Sequence, residues 1–329
     1  MPNAPAIATE ALVKHFPGDV RAVDGVDLSI GKGSIFAYLG PNGSGKTTTI
    51  RMLTTLLKPT SGRGFVDGLD VERQGAEVRR RIGVALQEAG LDDLQTGREL
   101  LHFQGHLNNL ANRRVSERAA ELLKVIDLED AADRPIKTYS GGMRRRLDLA
   151  AALMHSPGIV FLDEPTTGLD PVSRETLWRY VMTLNRDHGV TFFLTTQYLE
   201  EADRLAGEVA IIDKGHIVAQ GTPTELKASI GTDVVTVRLP HAENGIELAR
   251  NRLSDLEGLE EIKELDDSLV IYVRDGGTAI ARIVLIFEEA SLHVGEVSLT
   301  RPTLDDVYLR KTGHHIETAD KVSTEPPTR

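Results

Sequence analysis

The sequence predicts an α/β fold with a largely parallel central sheet, followed by a smaller α+β unit. Three observations carry that reading. Short apolar runs at 34–39, 159–162, 190–195 and 209–212 alternate with helical stretches, the pattern of buried parallel strands joined by helices. Between the first run and a helix predicted over 48–57 stands Gly40-Pro41-Asn42-Gly43-Ser44-Gly45-Lys46-Thr47-Thr48, which fits G-x-x-x-x-G-K-[ST]. Beyond about Thr222 the alternation changes to a β-α-β-β-α-β order.

In chain order, strands at 6–15 and 26–30 precede the loop, joined through a turn at Pro17-Gly18-Asp19. Two more strands, 62–66 and 82–86, follow the first helix. From about Thr96 to His155 the pattern is helical, broken over 132–142 by Pro135 and Gly141-Gly142. The second unit reads as strand 233–239, helix 245–256, strands 259–265 and 269–274, helix 278–290 and strand 294–299. A helix at 303–311 closes this ferredoxin-like order. The chain thus divides into 6–222, 225–312 and a polar tail over 313–329 for which no structure is predicted.

Composition limits the function. Asp plus Glu number 49 against 38 Lys plus Arg, a net charge of −11 that gives nucleic acid no electrostatic encouragement. With no cysteine, disulfides and thiolate metal sites are ruled out. No apolar run approaches the roughly 18 residues of a membrane span, and no leader is visible. The expectation is a soluble, cytoplasmic chain that needs another chain for any membrane spans.

The phosphate chemistry follows from residue types. Glycines at 40, 43 and 45 let successive backbone N–H groups converge on an anion, and the next helix adds its positive end. Lys46 would reach the β- and γ-phosphates, and the Thr47 hydroxyl would ligate Mg²⁺. Asp163 and Glu164 end the run at 159–162, one placed to hold Mg²⁺ and the other to polarise the attacking water. No N-K-x-D guanine-reading motif is present. Ser140 is a good N-cap, and Gly141-Gly142 leave backbone donors open to an anion. His102 and His106 share a helix face without an evident third ligand. The runs Arg79-Arg80-Arg81 and Arg144-Arg145-Arg146 read as solvated faces.

These motifs together resemble the nucleotide-binding domain of an ABC transporter over residues 6 to about 221, closest to the daunorubicin-resistance type of exporter subunit. The resemblance implies a P-loop NTPase fold with an antiparallel β subdomain and a helical subdomain. It implies that Phe16 stacks on adenine, that Gly40–Thr48 is the Walker A loop, and that Gln87 touches Mg²⁺. Ser140-Gly141-Gly142 match the signature, Asp163 and Glu164 Walker B, and Gly168-Leu169-Asp170 the D-loop. Asp170 then joins the nucleotide-binding set, and Gln197 takes the place of the usual switch histidine. Glutamine can donate to a γ-phosphate but cannot titrate near neutral pH. Met143 replaces the usual signature glutamine, and the segment 301–309 resembles the subfamily's tail.

The implied activity is ATP hydrolysis with Mg²⁺, driving efflux of a drug, antibiotic or lipid. One phosphate loop and one signature call for a second copy, and a separate permease places the protein at the inner membrane face. Two rivals are a non-transport ABC protein and a regulatory ATP-binding module. Non-transport members usually carry paired cassettes or long coiled coils, and neither occurs here.

Overall fold

The computed structural model describes residues 4–314 except 88–89, 240–244, 266–267, 291 and 293. The tail expected at 313–329 lies outside the described residues from 315 onward. Two compact units divide the chain, one ending at Pro223 and the other running Thr224–His314.

The first unit opens with β1 (Ile7–Phe16) and β2 (Val20–Ile30), a hairpin with Gly18 and Asp19 at positive φ in the turn. Then come β3 (Ile35–Leu39), α1 (Lys46–Leu53), β4 (Ser61–Val66), β5 (Leu69–Asp70), α2 (Gly75–Arg81) and β6 (Ile82–Ala85). β2-β1-β4-β5 form an antiparallel sheet, with buried residues alternating along β2 as one wet face requires. α1 starts two residues earlier than expected because Gly45, at φ +111°, ends the loop and caps the helix. It stops at Thr54, after which Thr55 turns to φ +68°.

Three helices follow: α3 (Gly97–Leu107), α4 (Asn112–Val125) and α5 (Gly141–Ala152). A reciprocal pair starts α3, the Glu99 N–H donating to Thr96 Oγ1 and the Thr96 N–H to Glu99 Oε2. Asn109 at φ +58° breaks the expected long helical stretch between α3 and α4.

The chain then alternates through β7 (Ile159–Asp163), α6 (Pro171–His188), β8 (Thr191–Thr196), α7 (Leu199–Leu205), β9 (Glu208–Asp213) and β10 (His216–Gly221). The main sheet has the order β10-β9-β3-β8-β7-β6, parallel except for β10 at its edge. Every residue of β3, β7 and β8 is buried, which is why these strands read as continuous apolar runs. Phe36, Phe161 and Phe193 pack ring to ring at centroid distances of 5.5 Å in the middle of this core. All the parallel strands end at one edge of the sheet, where the phosphate loop and the Asp163-Glu164 pair emerge.

α8 (Pro223–Ala228) carries the chain into the second unit. There β11 (Asp233–Arg238), α9 (Gly245–Arg252), β12 (Leu259–Leu265), β13 (Ser268–Val273), α10 (Gly276–Glu289) and β14 (Glu296–Thr300) succeed one another. The sheet order β12-β13-β11-β14, antiparallel throughout, is the ferredoxin-like one. Val235, Val237, Ile271 and Val273 face Leu253, Ile283 and Phe287 in a separate apolar core. Each such buried side chain contributes about 1.5–3 kcal/mol. α11 (Leu304–Thr312) follows, burying Val307 and Tyr308. Among the described residues no helix is long and apolar enough to cross a membrane.

Candidate active site

The loop between β3 and α1 is held by close approach. A Cβ on Gly40 would lie 2.3 Å from the Ile212 carbonyl oxygen, and one on Gly45 2.2 Å from that of Ala22. Only glycine fits at either point. The Gly40 N–H donates to the Thr196 carbonyl, anchoring the loop to the end of β8. Asn42, Gly43, Gly45, Lys46, Thr47, Thr48, Gln87 and Glu164, all expected site residues, line one open cavity of about 330 Å³ together with Ala22. Pro41 and Ser44 complete the loop beside it. Ser44 Oγ is buried and has no partner among the described residues.

Lys46 Nζ donates to the Gly40 and Pro41 carbonyls at 2.8 and 2.9 Å and lies 3.1 Å from Glu164 Oε1. Burial lowers the Lys46 pKa, while the Glu164 and Asp163 carboxylates oppose that shift. Asp163 ends β7, and its Oδ1 accepts from Thr195 Oγ1 at 2.6 Å and from Thr47 Oγ1 at 3.2 Å. Glu164 sits at φ +45°, a strained conformation for a residue with a Cβ. Its N–H donates to Thr195 Oγ1 at 3.0 Å, and its Oε2 accepts from Gln87 Nε2 at 3.4 Å and Thr167 Oγ1 at 3.3 Å.

The donors fit the expected ligands. Loop glycines, an unpartnered hydroxyl and a lysine suit polyphosphate. Thr47, Asp163 and Gln87 offer hydroxyl, carboxylate and amide oxygens, the sparse set that Mg²⁺ uses when phosphates supply the rest. No group of three or more His, Asp or Glu side chains forms a metal cage among the described residues.

Other expected residues stand apart from this cavity. Phe16 ends β1, 38% exposed, with the Lys14 ammonium 5.4 Å from its ring centre. Ser140 caps α5 by accepting from the Met143 N–H at 3.2 Å, with Gly141 and Gly142 in the first turn. Asp170 caps α6, accepting from the Ser173 hydroxyl at 2.6 Å and from the Ser173 and Val172 N–H groups, and these bonds, the hydroxyl's first, hold its carboxyl below the usual range. Gln197 follows β8, 2% exposed, its Oε1 without a partner among the described residues.

Sequence reasoning missed several supports. Thr195 and Thr167 steady the two carboxylates, and the fully buried Glu201 accepts from Thr166 Oγ1 and Trp178 Nε1. The run 144–146 is not a solvated face throughout. Arg144 pairs with Asp93 at the surface, whereas Arg145 is 8% exposed and bonds to backbone carbonyls around Asp163.

Comparison with known proteins places the chain. The ABC transporter family model matches residues 23–167, and the model for the C-terminal domain of DrrA1-3-like ATP-binding proteins matches 221–312. The daunorubicin/doxorubicin resistance ATP-binding protein DrrA of Streptomyces peucetius is 46% identical over 97% of this chain and 95% of its own. For the Nod factor export ATP-binding protein I of Cupriavidus metallidurans the identity is 38%, over 92% of this chain and 96% of its own. A solved ATP-binding cassette, dimeric in a post-hydrolysis state with ADP and Pi, aligns at a TM-score of 0.60 and 26% identity. That alignment covers 66% of this chain and 98% of the cassette. The chain belongs to the ABC transporter family, as an ATP-hydrolysing, ATP-binding protein of the daunorubicin-resistance type.

Proposed function

We propose that this chain drives export of a drug, antibiotic or lipid through a separate membrane permease, using ATP hydrolysed at the cavity between Lys46 and Glu164. The observation that carries the reading is the Glu164 carboxylate, held by Lys46, Gln87 and Thr167 beside the phosphate loop. Glu164 takes a proton from the attacking water as its oxygen bonds to the γ-phosphorus and the bridging oxygen leaves with ADP. Lys46 and the loop N–H groups hold the phosphates in line. Thr47, Asp163 and Gln87 would hold Mg²⁺, which would supply charge neutralisation on the transferring phosphate.

Ser140, Gly141 and Gly142 lie outside the phosphate-loop cavity of their own chain. They, with Asp170, complete the nucleotide site of a second copy docked head to tail. The dimeric cassette among the solved relatives supports this arrangement. Phe16 stacks on adenine once nucleotide is bound. Gln197 donates its amide to the γ-phosphate.

Docking to a permease is supported by a cleft of about 350 Å³ beside β6 and α3, lined by Leu56, Val84 and Leu86. Exposed Phe103 and Leu107 stand on the same helix as its lining residue Gln104. The protein is thereby peripheral at the inner membrane face. Residues 225–312 form an accessory unit that tunes the motor. The word export in the name of the Nod factor export ATP-binding protein I supports the direction of transport. Inverted vesicles holding the chain and its permease test this: ATP should drive daunorubicin uptake and the permease should stimulate hydrolysis. Neither effect with any of a panel of drugs and lipids would exclude the reading.

A further inference from the structure

We propose that Arg145 is a positioning residue for hydrolysis, its guanidinium clamping the strained turn that aims the Glu164 carboxylate. This deepens the reading of Glu164 as the base and rests on it. Arg145 lies on α5, about one turn beyond the Ser140 cap, and points into the protein. Its Nε donates to the Pro165 carbonyl and its Nη2 to the Asp163 carbonyl, both at 2.9 Å. These two carbonyls flank Glu164, the residue held at φ +45°. Its Nη1 donates to the Leu86 carbonyl, immediately before Gln87, and pairs with Asp148 Oδ2 at 3.1 Å.

One planar group therefore fixes the backbone on both sides of Glu164 and the backbone that leads into Gln87, which itself touches Glu164. A guanidinium presents five donors in a rigid fork, so it can serve three carbonyls and a carboxylate at once. An ammonium is a point charge with three donors and cannot reproduce that spread. Burying a charge here costs desolvation, offset by Asp148 and by the carbonyl bonds. A side chain needed only to pack α5 against the sheet could be apolar. Two carbonyls of the turn and a third that leads into Gln87, all held by one group, point to alignment of that turn.

The test compares Arg145→Lys, Glu164→Gln and the double variant in permease-containing membranes, with ATP binding and thermal unfolding measured alongside. Arg145→Lys should lower kcat by about 10–100-fold while KM for ATP changes less than about threefold, because the phosphate loop is untouched. In the Glu164→Gln background the same substitution should add almost nothing. An equal further loss in that background, or a risen KM with kcat unchanged, would overturn the clamp. Full kcat in Arg145→Lys beside an inactive Glu164→Gln would also overturn it, and would leave the base assignment standing. Near-normal hydrolysis in Glu164→Gln would instead remove the base assignment itself. Should Arg145→Lys fail to fold, Arg145→Gln decides: its single amide cannot serve the Asp163, Pro165 and Leu86 carbonyls together, so kcat should fall at least about tenfold with KM for ATP within about threefold. A kcat within about threefold of wild type would overturn the proposal.

Discussion

Lys46 Nζ lies 3.1 Å from Glu164 Oε1, with 3% and 5% of the two side chains exposed, so the phosphate-loop lysine and the glutamate that follows β7 form one buried pair. The lysine also donates to two carbonyls of its own loop. Incoming phosphate thus meets a cation already aligned by its surroundings. Removing either partner leaves the other charge buried and uncompensated.

Lys46→Ala should weaken ATP binding by about 10–100-fold, the loss of one hydrogen bond to a charged group. Titration with a fluorescent ATP analogue measures this. Affinity within about threefold of wild type would show that the loop N–H groups carry phosphate recognition alone.

Gln197 is buried after β8, next to Thr196, whose carbonyl anchors Gly40. Its replacement by alanine should slow turnover by about 10–100-fold with a smaller effect on ATP affinity. Gln197→His should keep activity within about tenfold and add a limb near neutral pH to the rate profile, which glutamine cannot give. Wild-type turnover in Gln197→Ala would remove this residue from γ-phosphate sensing.

Burial raises the Asp148 carboxyl to about 6, against the attraction of Arg145. Its cleft also holds Arg79 and His155, the latter with its pKa lowered by burial. Between roughly pH 4 and 6 the folded chain keeps a proton on Asp148 that the unfolded chain releases, so this group's contribution falls as pH rises through that window, by on the order of 3 kcal/mol. Asp148→Asn should therefore gain stability relative to wild type between pH 4.5 and 7.5, read by denaturant unfolding at both values. A shift in the opposite sense would mean that the Arg145 ion pair outweighs the desolvation of Asp148.

Much of this was legible because it is local. The run before Gly40, the loop and the helix after it lie within some twenty consecutive residues, and β13 shows its alternation of buried and half-buried side chains directly. Partners set by strand register were not legible. Asp163 meets Thr195 because β7 and β8 pair those two positions in parallel, 32 residues apart in sequence. Edge strand β10 escaped because its apolar stretch is only Ile217-Val218-Ala219, between polar residues, and none of its residues is buried. The arginine run misled for a geometric reason. Consecutive helical residues turn about 100° from one another, so Arg145 enters the core while Arg144 pairs at the surface and Arg146 lies half-buried against the Ile126 carbonyl.

The second-copy reading has its own consequence. Glu164→Gln should form a dimer in ATP and remain monomeric without it, as measured by light scattering. A monomer in saturating ATP would mean that the signature of one chain does not complete the site of another without the permease.

Whether Glu164 is the base is decided by steady-state hydrolysis of Glu164→Gln, measured beside ATP binding. The carboxylate is replaced by an amide of the same shape, so ATP affinity should stay near wild type while kcat falls by about 10²–10⁴-fold. Hydrolysis close to the wild-type rate, with binding intact, would show that Glu164 takes no proton from the attacking water.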